Sequence, residues 1–106
     1  MNKVLGVIGL AKRAGKVTSG EFLCEKAIKN GQSKLIIIAS DISENAKKSA
    51  VNTCNHYGVE YIEFSSSSEL GRAIGAESRM IVSVNDDNFK NAILSKIERI
   101  DEQYGR

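Results

Sequence analysis

The chain has 106 residues, 42 % of them hydrophobic and 26 % charged, a composition that excludes an intrinsically disordered chain and leaves room for one domain with its own core. No apolar run approaches the ~20 residues of a membrane-spanning helix, so no membrane partner is expected. The net charge is only +2, yet residues 1–34 hold seven basic side chains (Lys3, Lys12, Arg13, Lys16, Lys26, Lys29, Lys34) against Glu21 and Glu25, while the rest holds eight basic and eleven acidic ones. That asymmetry points to an anionic partner on one side of the molecule.

Helix and strand patterns alternate along the whole chain, without proline or internal repeat. From Asn2 to Ala14, Val4, Leu5, Ile8 and Ala11 form one helical stripe, with Lys12 and Arg13 in the last turn and Gly15 as terminator. Lys16-Val17-Thr18 reads as a short extended stretch. Ser19 and Gly20 then offer an N-cap for a second helix to about Asn30, stopped by Gly31. Residues Lys34 to Ala39 are continuously apolar after the lysine and largely β-branched, which predicts a strand buried on both faces. Asp41 with Glu44 makes a capping-box pattern for a third helix through about His56, closed by Gly58.

Val59 to Phe64 alternates with period two, a strand pattern, and Ser66 with Glu69 repeats the capping-box signal ahead of a short helix ending at Gly75. Met80 to Val84 is the last strand. A closing helix from about Asp87 to Tyr104 places Phe89, Ile93, Ile97 and Ile100 on its buried stripe. These elements predict an α/β protein: a three-layer α/β/α sandwich, one domain over residues 1–106, with a mixed four-stranded sheet covered by helices on both faces.

The second helix carries the most chemistry. At 100° per residue, Leu23, Cys24, Ala27 and Ile28 fall on its buried side, and Phe22, Glu25, Lys26 and Lys29 on the other. Phe22 is then an aromatic off the core stripe, close to lysines and to the positive end of a helix, a setting that suits RNA: amides and lysines take phosphates and the ring stacks on an unpaired base. A second account has Phe22 folding back as a hydrophobic lid on the opening helix. Lys12 and Arg13 have a local use in offsetting the helix carbonyl end, but Lys16 lies past the glycine, which favours a phosphate contact. Lys34 fits either account.

Other candidate constellations are weak. Cys24 and Cys54 lack a C-x-x-C partner and read as reduced thiols of a cytosolic protein. The run Ser65 to Ser68 with Gly71 matches neither phosphate-binding glycine fingerprint and reads as a loop with a capping box. His56 has only Cys54 near it, too few ligands for a metal. Asp86 and Asp87 follow a strand, where α/β enzymes keep acids, but they also open a helix, where carboxylates are favoured anyway. No catalytic constellation stands out, and neither enzyme activity nor a cofactor or metal is expected.

Gly20, Lys26-Ala27, Gly31 and Lys34-Leu35-Ile36-Ile37-Ile38-Ala39 followed by Asp41, together with Glu69-Leu70-Gly71-Arg72-Ala73-Ile74-Gly75, resemble the two signature segments of the L7Ae/L30e ribosomal protein family at the expected separation. The opening helix and the Ser19-Gly20-Glu21 junction are most similar to the bacterial branch of that family. The resemblance implies an α/β/α fold that binds kink-turn or kink-loop RNA through the N-terminus of the second helix and the loop from Ala76 to Met80. Carried over by position, Gly20, Glu21 and Lys26 would meet the RNA, with Arg79 the basic member of the second loop. Where the family normally places a polar pair such as Asn-Glu or Lys-Gln, this chain has Phe22 and Leu23, whose side chains cannot make polar contacts.

The expected function is therefore that of a cytoplasmic, ribosome-associated RNA-binding protein, with ribosomal or other structured RNA as partner and ribosomal proteins as possible neighbours. The expected contact residues are Lys12, Arg13, Lys16, Gly20, Glu21, Phe22, Lys26, Lys29, Lys34 and Arg79. The alternative is a protein-interaction module that keeps the fold without binding kink-turn RNA, using the exposed aromatic as its anchor.

Overall fold

In the computed structural model, which describes residues 2–103 and the side chains of residues 2–97, nine elements follow the expected alternation. They are α1 (Lys3–Arg13), β1 (Val17–Ser19), α2 (Glu21–Lys29), β2 (Leu35–Ile38), α3 (Glu44–Tyr57), β3 (Glu60–Glu63), α4 (Ser67–Ala73), β4 (Ile81–Val84) and α5 (Asp87–Gln103). The Ile100 side chain and Tyr104, assigned above to the last helix, lie outside the described residues.

The sheet order is β1-β4-β2-β3, with β2 and β3 parallel and both pairings of β4 antiparallel. A parallel pair needs a long crossover, and α3 supplies it between β2 and β3. β2 is central and every residue of it is buried, as its unbroken apolar run requires. Its alternate side chains feed two cores. Leu35 and Ile37 join Val4, Ile8, Leu70 and Ile93 beneath α1, α4 and α5. Ile36 and Ile38 join Cys24, Ile28 and Cys54 beneath α2 and α3. The result is the expected three-layer sandwich with a mixed four-stranded sheet.

The helix starts follow local hydrogen-bond chemistry, with one correction. Asn2 Oδ1 accepts from the Val4 N–H (2.7 Å), and Ser66 Oγ accepts from the Glu69 N–H (3.1 Å) as expected. The cap of α3 is Ser43, accepting from the Ala46 N–H (3.2 Å), and not Asp41. Because α3 starts only at Glu44, Asp41 sits too early to cap it. Its carboxylate instead accepts from the Ser67 N–H (2.9 Å) and Ser67 Oγ–H (3.1 Å), tying the end of β2 to the start of α4. The Ser67 N–H, donating to it, holds the Asp41 carboxyl below its ordinary value.

Two glycines define close approaches. A Cβ at position 71 would lie 2.5 Å from Ser78 Cα and 2.6 Å from Ser78 N, so the chain after α4 lies directly on that helix. The Ala76 N–H donates to Gly71 C=O (2.8 Å) and the Arg79 N–H to Ser67 C=O (2.9 Å), fixing the loop from both sides. Gly71→Ala must therefore displace backbone, and the expected cost is about 1–3 kcal/mol, as for other forced overpacking. Gly6→Ala is the control: it lies inside α1 with nothing within 4 Å of the added methyl, so it should stabilise by about 0.5–1 kcal/mol through helix propensity. Urea unfolding of the two variants reads both signs, and equal effects would contradict the packing described.

Candidate nucleic-acid interface

The C-terminal ends of β1, β2 and β3 and the start of β4 form one end of the sheet, termed upper, and the opposite ends form the lower one. At the upper end the chain leaves β1 through Gly20, with φ +89°, and no side chain caps α2. The Gly20 N–H donates to Ile81 C=O (3.1 Å), while Gly20 C=O receives the Cys24 N–H (3.0 Å). The N–H groups of Glu21, Phe22 and Leu23 therefore open α2 without an intrahelical acceptor.

Arg79 joins this junction to the 76–80 loop. Its Nε–H donates to Ser19 Oγ (3.0 Å) and its Nη1–H to Ser78 C=O (2.7 Å). Two of the five guanidinium N–H groups are thus engaged within the protein, which fixes the plane and leaves three for an outside acceptor. The two segments singled out in the sequence meet here through residues 60 positions apart.

Phe22 is 77 % exposed, so it is not a lid on α1. Leu23, assigned by wheel geometry to the buried stripe, is 48 % exposed instead. The buried stripe of α2 is narrow, Cys24, Ala27 and Ile28, and Leu23 falls at its margin in the first turn. Met80, at 40 % exposure, adds a third apolar side chain to the same end. Met80 carries no signal of its own in the sequence, since it begins the last strand pattern, where apolar residues are ordinarily buried.

Down the outer face of α2 a shallow groove of about 380 Å³ is lined by Phe22, Glu25, Lys26, Lys29 and Asn30. Lys29 Nζ lies 2.7 Å from Glu25 Oε1, one turn away, and this hydrogen bond raises the lysine pKa. Among the described residues Lys26 makes no ion pair, so it is the free cation of the groove. Between α2 and α3 lies a narrower cleft of about 100 Å³, lined by Glu21, Ile28, Ile42, Ala46, Thr53 and Met80 among others.

The ten expected contact residues do not form one patch. Gly20, Glu21, Phe22 and Arg79 share the upper end, and Lys26 and Lys29 descend along α2. Lys12, Arg13, Lys16 and Lys34 are at the lower end, where the Asn85 N–H donates to Lys16 C=O (2.8 Å) and the Lys34 N–H to Val84 C=O (2.9 Å).

The remaining candidates hold no constellation. Cys24 and Cys54 are free, buried thiols. Burial pushes Cys24 up to about 12 and Cys54 to about 11, so neither is a thiolate nucleophile near neutral pH. His56 packs edge-on against Tyr57, ring centroids 4.8 Å apart. Among the described residues no group of three or more His, Cys, Asp or Glu side chains could hold a metal, and no helix is long and apolar enough to cross a membrane.

Residues 2–95 match the model of the Ribosomal protein L7Ae/L30e/S12e/Gadd45 family. The chain belongs to this family. The RNA-binding protein YlxQ of Bacillus subtilis is 42 % identical to it over 92 residues, spanning 87 % of this chain and 92 % of that protein. The large ribosomal subunit protein eL8 of Picrophilus torridus is 32 % identical over 96 residues, spanning 85 % and 76 %. Among solved structures, a protein of unknown function from Bacillus halodurans superposes with a TM-score of 0.87 at 34 % identity, covering 92 % of this chain and 99 % of its own. A Giardia lamblia 15.5kD RNA binding protein shares the fold, with a TM-score of 0.75 at 20 % identity and coverage of 94 % and 86 %.

In this family member the exposure of Phe22 makes a stability prediction. Phe22→Ala should change the unfolding free energy by less than about 0.5 kcal/mol, as surface substitutions do. Ile28→Ala, on the buried stripe of the same helix, should cost about 2–5 kcal/mol. A loss of about 3 kcal/mol or more at Phe22 in urea unfolding would restore the lid account.

Proposed function

We propose that this chain is a cytoplasmic RNA-binding protein that seats structured RNA, of kink-turn or kink-loop type and in a ribosomal setting, on the upper end of the sheet. The observation that carries this reading is the Arg79 to Ser19 hydrogen bond, which holds the 76–80 loop against the start of α2 and so unites the two segments through which the family resemblance expects contact. The names of the relatives support RNA as the partner class and are not names of enzymes.

Each side chain has a physical task in that reading. Gly20 carries no Cβ and nothing lies within 4 Å of where one would be, so a sugar–phosphate backbone can approach the opening amides of α2, whose positive helix end favours a phosphate. Arg79 offers its remaining N–H groups from a fixed plane, and a guanidinium so held takes a phosphate or a base edge in a directed way. Lys26, one turn further along, adds charge. Phe22 and Leu23 replace the polar pair common in the family, so base stacking and apolar contact take over the part of recognition that hydrogen bonds to base edges perform elsewhere.

Fluorescence anisotropy with a hairpin RNA carrying a kink-turn tests this. Phe22→Ala should weaken binding by about 1–3 kcal/mol, the range of base–aromatic stacking. Lys26→Ala should weaken it further and flatten the salt dependence. Native affinity in both single variants and in the double variant would overturn the placement of the site.

A second reading follows from the clustering of Phe22, Leu23 and Met80 as exposed apolar side chains at one end, which could anchor a protein such as a neighbouring ribosomal protein. Its signature is loss of a protein partner in Phe22→Ala with RNA affinity unchanged.

A further inference from the structure

The lower end of the sheet collects cations that the upper contact does not use. Lys16 precedes β1 and Lys34 precedes β2, on either side of the end of β4, so their backbones stand two strand spacings, about 10 Å, apart. The last turn of α1 is tied to Lys16: the Gly15 N–H donates to Lys12 C=O (3.0 Å) and the Lys16 N–H to Ala11 C=O (2.9 Å). Lys12, Arg13 and Lys16 are exposed and Lys34 is half-buried. Among the described residues none of the four makes an ion pair.

The acids that share this end are Asp86 and Asp87, at the start of α5, and Glu60, which opens β3 beside Leu35 and is paired with Lys90 (2.8 Å). The Asp86 carboxylate accepts from the Phe89 N–H (3.0 Å) and is occupied with its own helix. Offsetting a helix carbonyl end accounts for Lys12 and Arg13, but Lys16 and Lys34 belong to no helix. A track also links the two ends. Phe22, Lys26 and Lys29 follow one another at positions i, i+4 and i+7 on the outer face of α2, over about 10 Å, and the chain then turns through Gly31 to Lys34.

We propose that the lower end is a second RNA-contact surface: Lys12, Arg13, Lys16 and Lys34 hold phosphates of a stem that continues, along the outer face of α2, from the RNA seated at the upper end. This rests on the reading of the upper end as an RNA site. RNA is favoured over an acidic protein because the track is a continuation of that site and carries an exposed ring and the free cation Lys26, its one acid, Glu25, being paired with Lys29. The surface reads charge and not sequence, so it lengthens the footprint and adds affinity for RNA with a long stem.

The test uses two kink-turn hairpins that differ only in stem length, one helical turn against two, and the variant Lys12→Gln/Arg13→Gln/Lys16→Gln. The native protein should bind the longer RNA about tenfold more tightly, and the variant should lose that gain while binding the shorter RNA as before. Its slope of log K against log salt on the longer RNA should fall by about 2, since each phosphate-bound cation contributes about 0.7 to 0.9. Lys16→Gln/Lys34→Gln, which leaves the end of α1 intact, should show the same effect, and its thermal midpoint guards against unfolding. Equal affinity of the native protein for both lengths, or equal losses on both in the variants, would overturn the proposal. If the native protein fails to bind the shorter hairpin, the upper site is what fails. A plain two-turn RNA duplex then decides the lower surface alone: binding that weakens with salt and is lost in both variants supports it, and absent or unaltered binding overturns it.

Discussion

With no side chain at position 71, the backbone around Ser78 settles onto α4 at a distance that a single methyl group would forbid. The rest of the upper end depends on that approach. It holds the 76–80 loop close enough for Arg79 to reach Ser19 (3.0 Å) and sets the chain entering β4 so that Ile81 C=O receives the Gly20 N–H (3.1 Å). Asp41 completes the arrangement from the other side by taking the Ser67 N–H and hydroxyl at the start of α4. Two segments far apart in sequence, the start of α2 and the 76–80 loop, thereby present amides, an aromatic ring and a guanidinium on one rim of the sheet.

The same topology separates the charges. Because β4 runs antiparallel to β1 and β2, the basic residues before β1 and β2 gather at one end while the segments entering α2 and leaving α4 gather at the other. The upper rim is chemically mixed, with Glu21 and Asp41 as well as Arg79 at that end, and under the proposed function recognition there would rely on shape, directed N–H groups and stacking. The lower end is the more cationic. Under the proposal above, bulk charge there would serve non-specific attraction and steering of an anionic partner, and the groove along α2 runs between the two ends.

Much of this was legible in the sequence, for local reasons. The unbroken apolar run of β2 announced a central strand, and Val4, Leu5, Ile8 and Ala11 announced the buried face of α1; both depend only on neighbours within the element. Phe22 was correctly placed off the core stripe by helical geometry, but whether it folded back on α1 depended on packing that no local pattern encodes. Leu23 departs from the wheel expectation because the width of a buried stripe is set by the elements packed against the helix, which no pattern within it encodes. Asp41 and Glu44 satisfy the spacing rule for a capping box, but Ser43 caps α3 and Asp41 turns toward Ser67, a partner 26 residues away. The division of the basic residues between two ends was hidden for the same reason: it follows from strand order, which long-range pairing decides.

The central claim is that the start of α2 and the 76–80 loop act as one RNA contact. Backbone amide NMR during titration with a kink-turn hairpin tests it most directly. The signals of Gly20, Glu21, Phe22, Arg79 and Met80 should shift together and saturate at the same RNA concentration, while those of Tyr61 and Glu63 on the far edge strand stay in place. Shifts confined to α3 and β3, with Gly20 and Arg79 unmoved at saturation, would contradict it.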